Sequence, residues 1–260
     1  MLHPSKAGVI DASGFSRPTR AGIKRRLAHL SRSVGTFDAR RYFRGADDLR
    51  FYNVGSTAVR DMAKAIYRAH QDTWTIADAM TLADELVEDA YLDTKGVGIE
   101  LVRLFRRQFT PRLLPWWKRW LARNYSSNWA TTDAICGYLI GPLVLAHPSL
   151  VPRVASWSRD RNMWVRRASA VSLIASARKG LALDAAYGVA KRLHGDGEDL
   201  IQKAVGWMLR EAGKTDPIRL ERYLRTNVGV IPRTTFRYAI ERFDEPKRRD
   251  LIACRPVVVR

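Results

Sequence analysis

Apolar residues recur at helical spacing along most of the chain. In IQKAVGWMLREAGKTDP, residues 201–217, they form one continuous stripe made of Ile201, Ala204, Val205, Met208 and Ala212. The alternation typical of strands is nearly absent, and only the terminal PVVVR resembles one. The pattern predicts helices near residues 20–33, 56–70, 74–91, 95–108, 111–123, 128–146, 148–157, 162–178, 182–193, 198–213, 216–225 and 232–242.

Pairs of these helices recur at roughly 35–40 residues, which is the period of HEAT-type solenoids. The predicted fold class is therefore all-α, a right-handed α-solenoid of HEAT-like helical hairpins that is concave on one side. A compact helix bundle is the alternative. We expect a loose basic arm over residues 1–20, one solenoid domain over 21–254 and a tail over 255–260.

Charge indicates the class of partner. The 260 residues are 46% hydrophobic, which is enough to bury a sizeable core. Lys and Arg number 45 against 26 Asp and Glu, so the formal net charge is +19. Such a surplus requires a polyanionic partner or an anionic membrane surface, and the predicted groove should be basic.

Cysteine and histidine usage argues against a metal centre. Cys136 and Cys254 are in no paired motif, and the five histidines are scattered. Two thiols cannot by themselves hold an iron–sulfur cluster or a structural zinc, and they are typical of a reduced, cytoplasmic protein. We expect no metal, no cofactor and a monomer.

Membrane insertion is not expected from the sequence. The first residues, MLHPSKAGVIDASG, lack the apolar run of a signal peptide. The longest apolar stretch, AICGYLIGPLVLAH, holds a proline and is shorter than the ~20 residues that a span needs.

Tryptophans and charges meet on several predicted helices. Lys203, Trp207, Arg210 and Lys214 form a second stripe, away from the apolar face of their helix. The most apolar helix, in SSNWATTDAICGYLIGPLV, contains Asp133 one turn after Trp129. A carboxylate there is costly unless it is paired or lines a cleft. The alternative is an aspartate that accepts hydrogen bonds from a neighbouring helix end.

Two further stretches are basic. In SRDRNMWVRRASAVSLI, Asn162 is a plausible N-cap, and Arg166 and Arg167 point away from the core, where a solvated arginine pair is the alternative. In PRLLPWWKRWLAR, some of the three tryptophans must be core, whereas Lys118 and Arg119 belong to a basic exposed face. Cations and aromatic rings together suit a phosphate backbone with its sugars.

NWATTD, NMWVRRASA and IQKAVGWMLREAGKTDP together resemble the AlkD-type DNA alkylation-repair glycosylases, over about residues 40–245. FYNVGSTAVRDMAKAI, residues 51–66, is similar to an early helix-start motif of that family. The resemblance implies a HEAT-like solenoid that wraps duplex DNA and excises cationic N3- and N7-alkylated purines. The long basic arm, the C-terminal RPVVVR and the tryptophan-rich run depart from the family pattern.

The resemblance also implies roles for individual residues. Asp133 matches the catalytic aspartate, Trp129 and Trp207 match the two site tryptophans, and Arg167 matches an arginine beside the DNA backbone at the lesion. The DNA-binding residues that we predict are Arg166, Lys203, Arg210, Lys214, Lys118, Arg119, Ser56 and Thr57. A non-catalytic HEAT-like protein that binds DNA or RNA is the alternative function.

Overall fold

A computed structural model describes residues 17–31, 42–43 and 48–254, and within these ranges the chain is helical and contains no β-strand. The α-helices are α1 (Arg20–His29), α2 (Gly55–His70), α3 (Ile76–Glu88), α4 (Leu92–Leu104), α5 (Leu114–Ala122), α6 (Trp129–Ala134), α7 (Gly141–Ala146), α8 (Val151–Ser156), α9 (Met163–Val171), α10 (Ile174–Ala177), α11 (Leu183–Leu193), α12 (Asp199–Ala212), α13 (Pro217–Thr226), α14 (Arg233–Ala239) and α15 (Glu245–Ala253). Short 3₁₀ helices are Arg106–Gln108, Pro111–Leu113, Pro148–Leu150 and Trp157–Arg159. The all-α prediction is confirmed.

Side-chain caps explain where several helices begin. Thr19 accepts from the backbone N–H of Gly22 at 3.2 Å, and Thr75 forms a capping box with Asp78. The predicted cap of Asn162 on α9 is confirmed, because its Oδ1 accepts from the N–H of Trp164 at 2.8 Å. These caps bond N–H groups that lack a partner inside the helix.

Helix α15 was missed in the sequence. Pro246 suggested a break, but it lies in the first turn of α15, where its missing N–H costs nothing. Asp244 caps the helix by accepting from the N–H of Lys247 at 2.8 Å. Of the predicted arm and tail, residues 1–16 and 255–260 lie outside the described residues.

The chain divides into two compact units, the first formed by Met1–Phe109 and Tyr125–Ala134 and the second by Thr110–Asn124 and Ile135–Arg260. In the first, α4 packs against α2 and α3, and α6 lies against α4. Its core includes Ile23, Leu27, Met62, Ile66, Leu86 and Leu101. The single solenoid domain over 21–254 stays a prediction.

In the second unit, α12 is the central helix and packs against α9, α10, α11, α13 and α14. Its predicted apolar stripe, from Ile201 to Ala212, is buried as expected. Helix α5 contributes Trp117 and Trp120, both fully buried, whereas Trp116 is partly exposed. The expectation that some tryptophans of this run are core is confirmed.

The helical stretch Trp129–Ala146 is formed by α6, the π-helical segment Ile135–Ile140 and α7. By length and composition alone this stretch could cross a membrane. It is longer than the apolar segment AICGYLIGPLVLAH considered in the sequence, because the helix begins earlier, at Trp129. Half of its residues are buried inside the protein, as in the core helix of a globular protein, so this similarity is weak evidence for a membrane.

Gly206 lies where α12 meets α14. A Cβ added there would stand 2.5 Å from Cβ of Tyr238 and 2.7 Å from the carbonyl oxygen of Thr235. We expect Gly206→Ala to destabilise the protein by about 1–3 kcal/mol in thermal unfolding, since backbone must move. Gly188→Ala in α11 is the control, because the nearest atom is a flexible Arg192 guanidinium nitrogen at 3.6 Å. Equal melting temperatures for the two variants would contradict close packing at this position.

Candidate functional site

The start of α6 is built around the buried side chain of Asn128. Its Oδ1 accepts from the N–H of Thr131 at 2.8 Å, and its Nδ2 donates to the carbonyl oxygen of Ser126 at 2.7 Å. The hydroxyl of Thr132 donates to the backbone carbonyl of Asn128 at 2.9 Å. These bonds fix the first turn of α6, and therefore the direction in which the side chain of Trp129 points.

Trp129 is held from outside its own helix. Its Nε1 donates to the backbone carbonyl of Tyr42 at 3.0 Å. Phe43 stacks on its ring, with centroids 5.4 Å apart and planes inclined by 15°. The side chain remains 36% exposed. Tyr42 and Phe43 could not be recognised from the sequence, because no local pattern links them to a residue more than 80 positions away.

Asp133 lies one helical turn after Trp129, so α6 places carboxylate and ring on the same face, as the spacing predicted. The residue is partly buried, and the threonines at 131 and 132 beside it are buried. One short capped helix thus presents a negative group next to a partly exposed aromatic face.

The first unit also offers a helix N-terminus to solvent. Ser56 and Thr57 are exposed in the first turn of α2, which starts at Gly55 with φ of 80° and has no side-chain cap. The Arg60 guanidinium donates to the hydroxyl of Thr57 at 3.4 Å. Uncapped N–H groups at a helix start attract anions, which suits the predicted DNA-binding role of Ser56 and Thr57.

Trp207 is on the polar side of α12, as predicted. Its side chain is partly exposed and makes no hydrogen bond or ring contact with the residues that the structure describes. Its ring is available on a helix whose opposite stripe is buried in the second unit.

The predicted cations beside Trp207 all have acidic partners. Lys203 pairs with Asp199 at 2.6 Å, and Arg210 pairs with Glu241. Lys214 pairs with Glu211 at 2.7 Å. The local positive field is therefore weaker than the stripe in the sequence suggests. Ion pairs of partly exposed side chains contribute only about 0–1 kcal/mol, so phosphates can compete for these cations.

Glu211 is an acidic residue whose role the sequence did not indicate. It is buried and pairs with Lys214 and with Arg178, each at 2.7 Å, and Arg210 lies 3.7 Å away. Burial raises the pKa of its carboxyl, but Lys214 and Arg178 outweigh burial and lower it. Glu211 thus stays ionised and anchors three cations of this surface.

The two arginines of α9 are not a solvated pair, so that alternative is wrong. Arg166 pairs with Asp196 at 2.7 Å and donates to the carbonyl of Arg161 at 2.8 Å. Arg167 is only 4% exposed, and its guanidinium donates to the carbonyl oxygen of Leu200 in α12. The expectation that Arg167 points away from the core is also wrong, and its role beside DNA stays a prediction.

Helix α5 has a basic side, but its cations are engaged. Lys118 pairs with Asp160 at 3.0 Å and lies 5.8 Å from the ring centroid of Trp157. The guanidinium of Arg119 lies 5.1 Å from the ring centroid of Trp116. Within the described ranges, no group of three or more His, Cys, Asp and Glu side chains could hold a metal ion.

Comparison with known proteins gives the family. The model of the DNA alkylation repair enzyme family matches residues 23–243, so the chain belongs to that family. A solved structure described as a predicted DNA alkylation repair enzyme from Enterococcus faecalis has a TM-score of 0.68 at 18% identity, covering 76% of this chain and 91% of that one. At this identity the likeness shows the fold alone, which is consistent with an α-solenoid. Curated proteins include no match.

Glu211→Gln tests the anchoring role of the buried carboxylate. Folding lowers the pKa of Glu211, so its ionised carboxylate stabilises the folded state. This contribution is fully present when the pH is above the ordinary pKa of a glutamate, and it is lost as the pH falls through the lower pKa of the folded state. At pH 7 we expect a loss of about 1–2 kcal/mol in unfolding free energy, because Arg178, Lys214 and Arg210, which all keep contact with solvent, lose one shared charged partner. The difference from wild type should shrink below pH 4.5.

Glu241→Gln is the control for this measurement, because it removes the exposed partner of Arg210. It should cost less than about 1 kcal/mol. Equal losses of unfolding free energy for the two variants at pH 7 would refute the proposed role of Glu211 as the shared partner of three cations.

Proposed function

We propose that this protein is a monofunctional DNA glycosylase that hydrolyses the N-glycosidic bond of cationic N3- or N7-alkylated purines in duplex DNA. The observation that carries the proposal is the pairing of Trp129 and Asp133 on one face of the capped helix α6. Family membership supports repair of alkylated DNA as the setting. A net charge of +19 supports a polyanionic partner.

Asp133 performs the central task in the proposed mechanism. An alkylated purine with a positive charge is a good leaving group, and its departure leaves a sugar cation. The purine leaves neutral with the electron pair of the glycosidic bond, and the carboxylate stabilises the sugar cation, orients a water molecule toward the anomeric carbon and accepts the proton that this water loses as the C–O bond forms. A protein that only binds DNA gains nothing from such a carboxylate, since it repels phosphates.

Aromatic rings add to the stabilisation of the sugar cation. The proposal assigns this role to Trp129 and, through the family resemblance, to Trp207. Each ring contributes of order 1–2 kcal/mol of cation–π attraction when desolvated. The bonds of Trp129 to Tyr42 and Phe43 hold its ring ready before the substrate arrives.

DNA binding is assigned to the start of α2 and to a set of cations, of which Arg167 is buried and the others are partly or fully exposed. Arg167 is proposed to act beside the lesion, together with Arg166, Lys203, Arg210, Lys214, Lys118, Arg119, Ser56 and Thr57 on the backbone. In this proposal the protein contacts the sugar and the phosphate backbone of the damaged nucleotide. No pocket then encloses the base, so bulky adducts would be accepted. The reaction needs no metal or cofactor, and we propose a monomeric cytoplasmic enzyme.

Asp133→Asn tests the catalytic assignment, because it keeps the shape of the side chain and removes its charge. Single-turnover excision of N7-methylguanine should fall by about 10²-fold or more, as one electrostatic contribution is lost. Affinity for the damaged duplex should hold or increase. Asp184→Asn, an exposed position in α11, changes the net charge equally and should leave excision unchanged. Normal turnover in Asp133→Asn would make that aspartate structural.

Leaving-group charge tests the chemistry. No general acid is assigned to this site, so a neutral purine would have to leave as an anion, which is much harder. We expect release of N7-methylguanine and N3-methyladenine, while hypoxanthine and 1,N6-ethenoadenine stay in matched duplexes at neutral pH. Comparable rates would require an acid and refute this mechanism. Tight binding of duplex DNA or RNA without any excision would instead support the non-catalytic alternative.

A further inference from the structure

Lys95 is a buried cation that the proposed chemistry does not use. It lies in α4, and only 3% of it is exposed. Its Nζ donates to the carbonyl oxygen of Val87 at 2.8 Å and to that of Tyr125 at 2.6 Å. Neither carbonyl carries a formal charge, and burial lowers the pKa of Lys95 to about 8, while Asp89 and Glu88 oppose this shift. Such a cation is costly to bury.

The two carbonyls that Lys95 joins belong to different elements. Val87 is in the last turn of α3, where carbonyl groups lack partners inside the helix and a cation is favourable. Tyr125 precedes α6, and the connection to α6 passes through Ser127, whose φ of 48° is unfavourable for a residue with a side chain. A connection of this kind needs outside support.

The backbone that carries Lys95 is itself fixed. At the next residue, Gly96, a Cβ would stand 2.9 Å from a methyl carbon of Val59, so α4 lies close against α2. The backbone of Lys95 is therefore held in place by packing, and its ammonium group bonds the turn that precedes α6.

We propose that Lys95 is a positioning residue, which ties the Tyr125 carbonyl to the end of α3 and thereby fixes the turn that aims Trp129 and Asp133. Its importance for excision rests on the proposed function. Its effect on the turn does not. The enclosed ammonium touches no substrate, and it acts through Asn128 and the start of α6.

Lys95→Met removes the ammonium, and Lys24→Met is the matched control. Lys24 pairs with Asp89 at 2.8 Å in the same unit, so its loss changes the net charge equally without touching Tyr125. Hydrogen exchange should become faster over residues 126–134 in Lys95→Met only. Excision at saturating protein should fall about 10-fold or more from misplacement of the reacting groups, with duplex affinity changed less than about threefold.

Three results would decide the proposal. If Lys95→Met matches Lys24→Met in exchange over residues 126–134, the proposal is overturned. If Lys95→Met does not fold, Lys95→Gln takes its place, and its exchange over the same residues must exceed that of the control. If wild-type protein excises no base from any duplex, the proposed function fails, and faster exchange in the lysine variant still supports positioning.

Discussion

Each helix of this protein depends on burying one apolar stripe against neighbours, because segments of this length are marginal by themselves. Among the described residues, the longest single α-helix is α2, with 16 residues, and the continuous helical stretch Trp129–Ala146 that begins with α6 has 18. The stripe of α12 is covered by helices close to it in sequence, and α4 is covered by α2 and α3. This requirement leaves the remaining faces in contact with solvent, and the proposed site residues Trp129, Asp133 and Trp207 are all at least partly exposed there.

Many of the positive side chains form ion pairs, which the net charge alone does not show. The chain carries +19, yet the cations near Trp207 are paired: Lys203 with Asp199, Arg210 with Glu241, and Lys214, just after α12, with Glu211. Such pairs contribute little to stability, because fixing two long side chains costs conformational entropy, so phosphates can replace the carboxylates. A buried partner such as Glu211 is different, since losing it strands several cations together.

The family, the all-α fold and several local details could be predicted from the sequence. Helical spacing predicted the buried stripe of α12, and Asn162 was recognised as a cap because capping involves residues two or three positions apart. Helix α15 was missed because Pro246 is ambiguous, as it can end one helix or begin the next. The buried position of Arg167 was missed because its partner is the carbonyl of Leu200.

The sequence by itself determined which residue types share a helix face, including the ring of Trp129 and the carboxylate of Asp133, since 3.6 residues per turn fixes such neighbours. Only the tertiary structure decided what surrounds them. The stacking of Phe43 on Trp129, the hydrogen bond of Lys95 to Tyr125 and the ion pair of Arg178 with Glu211 join residues distant in sequence. Such contacts follow from how helices pack, and no local periodicity encodes them.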